Sequence, residues 1–356
     1  MPKAIWIVAL LAFGCGVAPP RVPAFKAGQP ALEQRKGALA ILGDTQRTSW
    51  FERVVLCRED NSELQPKLIA DLVAKDPAAL VLVGDLVFDG GSNSDWEHFD
   101  QLFAKLPRTT PVLPMWGNHE YWRFSSERTT EQQLAARFLG LDGQRYYSRQ
   151  LGHIGLVMLD SNLFISPRQR IKGLKPLPAP RLRRRGSNQT TDLEDFYDAR
   201  WEEQKCFFES ELERFEADPG VNQVFVFSHH PVYSLGPWGH PEPRLQELVK
   251  SFLSHGKARA WFSGHAHGYE RFGLKDGERG AHGDKAFIVT AGGGGPRPAA
   301  LELRPSPLAP ARRGERPLNY VLASEQPGGV QLLVRGLLGD DRAGELERVV
   351  LSSPGN

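Results

Sequence analysis

The sequence predicts an α/β fold, and three observations carry that reading. Short, nearly unbroken apolar runs recur along the chain, stretches of helical spacing lie between them, and Gly, Asp, Asn or His stands just past several runs. Apolar runs of that length suit strands buried on both faces, and their alternation with helices implies a largely parallel sheet covered by helices. A length of 356 residues, 40% hydrophobic and 24% charged, allows one large domain or two small ones.

From the N-terminus, Lys3 precedes an apolar run, Ala4–Phe13, about as long as a signal-peptide core and too short to span a bilayer. Gly14-Cys15 then resembles the cleavage point of a bacterial lipoprotein, although Ala12 and Phe13 are not the usual residues there. The expectation is a signal peptide over 1–14, a flexible Pro- and Gly-bearing linker over 15–36 and one domain over 37–350. The chain is thus expected to be exported: either secreted, or periplasmic or held on the outer membrane as a lipoprotein through a lipidated Cys15.

The runs read as strands are Ala38–Leu42, Leu80–Val83, Val112–Met115, Ile154–Leu159, Val224–Phe227, Ala258–Phe262 and Ala286–Val289. Ser62 is placed to cap a helix carrying Leu64, Leu68, Leu72 and Val73, with Pro66 in its first turn. Further helices are expected over Asp95–Lys105, Glu131–Leu139, Ala199–Glu216 and Pro243–His255. Toward the C-terminus the pattern becomes a hairpin, Tyr320–Ala323 and Val330–Val334 joined through Gly328-Gly329.

Two segments read as irregular surface. Residues 167–191 hold eight Lys or Arg and four Pro, and 296–317 are again rich in Pro and Arg. Such composition does not pack a core. The first reads as a solvated insertion, or else as a basic flap over an anionic substrate. Gly292–Gly295 reads as a tight strand-end turn, because no helix start follows to make a phosphate cradle. Lys plus Arg number 44 against 42 Asp plus Glu, a net charge of +2 that gives no reason to expect nucleic acid as partner. Beyond Cys15, Cys57 and Cys206 form either one disulfide or two buried thiols, and no Cys pair has zinc-finger spacing. A metal site would therefore draw on His, Asn and carboxylates.

Those residues stand at the strand ends. Gly43-Asp44-Thr45-Gln46 follows the first run, Gly84-Asp85 the second, Gly117-Asn118-His119-Glu120 the third, Ser228-His229-His230-Pro231 the fifth and Gly264-His265-Ala266-His267 the sixth. Each alone has an ordinary explanation as a turn or a helix cap. All five, in this order and each after an apolar run at the carboxyl edge where open α/β sheets bind ligands, point to one metal-competent site.

This series resembles the calcineurin-like metallophosphoesterase superfamily over about residues 38–295. His229–Ser234 and Gly264–Arg271 are similar to its acid-phosphatase branch. The resemblance implies a fold of two mixed β-sheets packed as a sandwich and flanked by helices, a four-layer α/β/β/α arrangement. It also implies two divalent or mixed-valence metal ions (Mn, Fe or Zn) and a phosphate-ester substrate. Asp85 would bridge the metals; Asp44 and His267 would hold the first, and Asn118, His229 and His265 the second. His119 would protonate the leaving alkoxide or contact the phosphate, and His240 resembles a substrate-facing His. The implied reaction is attack of a metal-bridging hydroxide on a phosphomonoester, with a phosphodiesterase using the same metals, and a non-catalytic binding member, as rivals.

Two positions depart from the family pattern. Gln46 stands where most relatives have His, either as a weaker neutral ligand or as the holder of a metal-bound water. Phe88 stands where purple acid phosphatases carry the Tyr that gives their colour, so a colourless enzyme is expected even with iron.

Overall fold

The computed structural model describes residues 23–33, 35–121, 127–164, 189–236, 243–273, 285–297, 310–337 and 341–353. In chain order the elements are β1 (Phe25–Lys26), β2 (Leu39–Leu42), α1 (Trp50–Val54), α2 (Gln65–Ala74), β3 (Ala79–Leu82), α3 (Asn93–Leu102), β4 (Val112–Pro114) and α4 (Glu127–Arg137). Next come β5 (Phe138–Leu139), β6 (Tyr147–Leu151), β7 (Ile154–Met158), α5 (Gln189–Ala217), β8 (Gln223–Ser228), α6 (Pro243–Ser254), β9 (Ala258–Ser263) and β10 (Tyr269–Phe272). The last five are β11 (Ala286–Thr290), β12 (Pro310–Glu315), β13 (Asn319–Gln326), β14 (Gly329–Leu337) and β15 (Ala343–Ser352).

The strands form two large mixed sheets. One has the order β12-β10-β11-β9-β8-β7-β6 and the other β15-β14-β13-β2-β3-β4. Each has a parallel heart, β7, β8, β9 and β11 in the first and β2, β3 and β4 in the second, and antiparallel strands outside it. The single parallel sheet suggested by alternation is therefore replaced by two sheets, as the family resemblance implied.

Strand periodicity explains the layers. Leu156, Met158, Phe225, Phe227, Ala260 and Phe262 join one core with Ala40, Ile41, Val321 and Val334 of the other sheet. Their neighbours Val157, Val226 and Trp261 point the opposite way and meet Phe208, Leu212 and Phe215 of α5 and Leu248 and Phe252 of α6. A two-residue side-chain period thus feeds two cores from one sheet. Helices α2 and α3 connect the neighbouring parallel strands β2, β3 and β4, and Leu68, Leu72, Trp96 and Phe99 of these helices pack into the same core as those strands. Phe227 and Phe262 stack at 5.4 Å in the inter-sheet core.

Several boundaries differ from the sequence reading. Ser62 does not cap α2. Buried Asn61 donates to the carbonyls of Gly294 and Gly295, the chain turns there, and the helix starts at Gln65 with Leu64 as its N-cap residue. The expected linker is structured in its last part: Phe25–Lys26 pairs in parallel with Phe138–Leu139, and Phe25, Ala27 and Leu32 are fully buried. That pairing also ends α4 at Arg137, short of Leu139. Helix α5 begins at Gln189, inside the expected insertion, because Gln189–Asp198 contains no Gly or Pro to break it. Pro310–Glu315, expected in a loop, is an edge strand beside β10 with Pro in first place. Cys57 and Cys206 are free and exposed, neither disulfide-bonded nor buried. Residues 1–22, with Cys15, and most of the two basic segments lie outside the described residues.

Candidate metal centre

Both sheets deliver side chains from the carboxyl ends of their parallel strands. From the six-stranded sheet come Asp44 after β2, Asp85 after β3, and Asn118 and His119 after β4. From the seven-stranded sheet come His229 after β8 and His265 and His267 after β9. Asp44, Asp85, His265 and His267 all have positive φ, at 61°, 51°, 70° and 46°. Non-glycine residues seldom adopt that conformation, and such strain concentrates at functional sites. Close packing keeps the neighbouring glycines in place. A Cβ on Gly117 would lie 2.1 Å from Oδ1 of Asp85, and one on Gly84, itself at φ 89°, 2.5 Å from Nδ1 of His229.

Two donor groups result. Asp44, Asp85 and His267 bring one ligand atom each within 4.8 Å of one another, and so do His229, His230 and His265. Asp85 faces both groups. Its Oδ1 lies 3.3 Å from Nε2 of His229, while its Oδ2 lies 3.5 Å from the end of the Gln46 amide that also approaches His267. Asn118 joins the second group, with Oδ1 2.9 Å from Nε2 of His229.

Hydrogen bonds fix which histidine nitrogen is presented. Nδ1 of His229 donates to the Val83 carbonyl at 2.9 Å, and Nδ1 of His267 to the Pro296 carbonyl at 2.7 Å. In the neutral rings Nε2 therefore carries the lone pair toward the acids, the orientation that metal-ligating imidazoles need. The Gln46 amide nitrogen faces the backbone carbonyls of Asp85 and Asp44 at 3.0 and 3.1 Å, which turns its oxygen to Nε2 of His267 at 3.0 Å. Gln46 thus offers its acceptor atom to the same point as Asp44 and His267.

The electrostatics fit cations. Asp44 and Asp85 are 0% and 1% exposed, and among the described residues their ion pairs are with His119, His229 and His267. Burial raises the Asp44 pKa above its ordinary value despite His267. Burial also opposes ionisation of Asp85, but His229 and His119 outweigh it and hold that carboxyl low. Burial disfavours a charged His229, yet Asp85 lifts it to about 9; burial and the charge of His229 depress His265 to about 3. Among the described residues the buried carboxylates are compensated by histidine rings and by backbone N–H groups of His119 and His265, and divalent ions would supply far more charge.

Support for the site comes from groups that sequence reading left without a role. Glu120 is fully buried and accepts backbone N–H groups from Gly117 at 2.6 Å, Asp85 at 2.9 Å and Leu86 at 2.8 Å, tying the β3 and β4 loops together. Burial and the nearby Asp85 push its pKa up to about 8. Its only signal in the sequence was its place after Asn118-His119. Gly292–Gly295 forms the expected turn against the first donor group: Gly293 N donates to Gly43 O at 2.8 Å and Gly295 N to Asp44 O at 2.9 Å. His119 N donates to Asp85 Oδ1 at 2.9 Å, its Nδ1 donates to the Phe88 carbonyl at 2.7 Å, and its Nε2 stays 3.8 Å from Asp85 Oδ2. The Phe88 ring lies 5.3 Å from that of His119 and offers no phenol oxygen. His240 lies outside the described residues.

The family model for calcineurin-like phosphoesterases matches residues 38–269, which span every donor just named. The chain belongs to this family. Purple acid phosphatase 22 of Arabidopsis thaliana is 25% identical over 289 residues, 77% of this chain and 54% of the plant protein. The chain therefore spans about half the length of that relative. Among solved structures, purple acid phosphatase PPD1 from yellow lupin seeds aligns with a TM-score of 0.57 at 15% identity, over 89% of this chain and 53% of that one. A dimetal phosphatase from Danio rerio gives 0.55 at 15% identity, over 89% and 99%. GAP50, the anchor in the inner membrane complex of Plasmodium, gives 0.57 at 11% identity, over 90% of each chain. At these identities the structures show a shared fold and nothing further.

Proposed function

We propose that this phosphoesterase hydrolyses phosphate monoesters at a dinuclear metal centre. One observation carries the reading: the two oxygens of Asp85 face different donor groups, so a single buried carboxylate is placed to bridge two ions. Asp44, Gln46 and His267 would hold the first ion and Asn118, His229 and His265 the second. Bound there, the pair would act as a Lewis acid on the phosphoryl oxygens and lower the pKa of a water to make the nucleophile.

The protein's own groups do the rest. No Ser or Cys is required as nucleophile. Glu120 holds the Asp85 loop still through the backbone N–H groups of Asp85, Leu86 and Val87, so that carboxylate is positioned before substrate arrives. His119 donates through Nδ1 to the Phe88 carbonyl, and its side chain stays 12% exposed. As an imidazolium, with a second proton on Nε2, it would protonate the leaving alkoxide. Similarity to an acid phosphatase favours monoesters over diesters.

The test is metal content of the purified protein, followed by turnover of p-nitrophenyl phosphate and bis-p-nitrophenyl phosphate with and without added Mn. Two ions per chain and Mn-dependent turnover of the monoester are expected. Less than one ion per chain after Mn loading, with no turnover, would overturn the reading, and faster turnover of the diester would overturn the monoester assignment.

A further inference from the structure

One loop of this protein is folded inside out. Of the large hydrophobic side chains that stay exposed among the described residues, all but Leu139 and Val350 fall between residues 50 and 56. They are Trp50, Phe51, Val54, Val55 and Leu56, at 48–66% exposure, in α1 and the turn after it. The one buried residue of α1 is Glu52. A surface helix ordinarily buries its apolar residues and exposes its acids, so the arrangement is inverted.

A polar scaffold holds the loop that way. Ser49 and Glu52 form a reciprocal capping box at 3.0 and 3.2 Å, and the Glu52 carboxylate also accepts from Arg58. Thr48 Oγ1 donates to the Glu59 carbonyl at 2.6 Å and closes the loop at its base. Just beyond, Asn61 donates to the Gly294 and Gly295 carbonyls, and Arg297 pairs with Glu59. That base stands at the metal centre, since the loop leaves from Gln46 and Gly295 N donates to Asp44 O. Arg47, Arg53 and Arg58 are matched by Asp95, Asp60 and Glu52. The charges of the loop are thus balanced within the protein and ask for no charged partner.

We propose that residues 50–56 dock on a lipid surface, seating Trp50, Phe51, Val54, Val55 and Leu56 between headgroups and acyl chains. Area decides between lipid and a second copy of this chain. At these exposures the five side chains offer on the order of 500 Å², whereas a stable protein interface covers about 800 Å² on each partner. A bilayer sets no such threshold, because binding grows with whatever apolar area is immersed. Trp and Phe suit that depth, and arginine stems lie along apolar surface with their heads in water. Among the described residues no helix is long and apolar enough to cross a membrane, so the contact is one of surface insertion. The docking does not depend on the phosphoesterase reading, but it would set the metal centre beside the lipid.

The experiment is flotation of the full chain with neutral phosphatidylcholine vesicles, with no substrate present. Wild type should bind, and salt should barely change the affinity because the charges of the loop are matched. The double variant Phe51→Glu/Val55→Glu should bind at least about 10-fold more weakly, since two apolar contacts are lost. Both chains carry Ala4–Phe13, so any binding through that run cancels in the comparison. The urea midpoint should match wild type, because both positions are exposed. Should the double variant prove unstable, Trp50→Phe decides. It should float like wild type, yet show less quenching of its Trp fluorescence by vesicles with brominated acyl chains. No binding by wild type, or binding that survives the double variant, would overturn the proposal. So would binding confined to anionic vesicles and abolished by salt, or quenching that Trp50→Phe leaves unchanged. A wild type that ignores vesicles and sediments as a dimer, broken by the double variant, would assign the tip to a second copy instead. With no substrate present, failure of the phosphoesterase reading leaves every one of these outcomes intact.

Discussion

Two sets of acids removed from water in this protein find their counter-charge differently. Asp71, Asp100 and Glu347 each meet an arginine, Arg335 at 2.8 Å, Arg137 at 2.8 Å and Arg271 at 2.7 Å. Asp44 and Asp85 are buried more deeply, at 0% and 1% side-chain exposure against 13–17%, yet among the described residues their ion pairs are with histidines. Burying a carboxylate without a fixed cation is costly, so a fold that tolerates two such acids side by side is built to receive charge from outside. The arginine-paired acids are complete as folded; the site acids are not.

The sharpest way to break this comparison is Asp85→Asn, which keeps the shape and removes the shared charge. Activity should fall by about 10⁴-fold or more, since the Lewis-acid contribution is worth several kcal/mol and both ions depend on that carboxylate. Metal content should fall with it. Two ions retained in Asp85→Asn would show that Asp85 does not bridge.

His119→Ala separates chemistry from metal holding. It should slow turnover by roughly 10²–10⁴, the usual share of a general acid, with both ions still bound. Loss of metal in that variant would move His119 into the donor set.

The two halves of the centre differ as well. In the proposed ligand sets the second ion has two imidazoles and Asn118, whereas the first has Asp44, one imidazole and the neutral amide oxygen of Gln46. A chelator titration should therefore remove one ion before the other. Gln46→His should tighten the weaker ion by about 10-fold, the low end of what changing one group at a metal site does to affinity. Two ions leaving together, in wild type and in Gln46→His, would show that the halves are not unequal.

How much of this was legible depends on where the information lies. Asp44, Asp85, Asn118, His229, His265 and His267 were readable because each follows an apolar run, and a buried parallel strand writes itself as such a run. Strands β6 and β15 were not, because Tyr147–Leu151 and Ala343–Ser352 carry Arg, Gln and Glu on partly exposed faces at the margins of their sheets. The role of Glu120 was not readable either. It acts through hydrogen bonds to backbone groups that only the folded loops bring near, and a lone Glu past a strand carries no pattern of its own. Asn61 misled the helix start for the same reason: its partners Gly294 and Gly295 lie more than 230 residues away.

The arginine-paired acids supply the control, and the smallest effect. Asp71 of α2 accepts from Arg335 at 2.8 and 3.0 Å and from the Tyr320 hydroxyl at 2.6 Å. Burial works against its charge, but Arg335 and Tyr320 prevail and hold its pKa below the usual 3.8. A carboxyl depressed in this way stabilises the fold above its unfolded pKa, and that contribution disappears as pH falls through the folded value. Asp71→Asn should therefore cost about 1 kcal/mol at pH 7, a modest figure because the pair is partly exposed and screened by water. The difference in urea midpoint between wild type and variant should narrow as pH drops from 5 toward 3, and metal content and turnover should stay unchanged. If Asp71→Asn instead released metal, the division between acids that the fold completes itself and acids that await a cation would not hold.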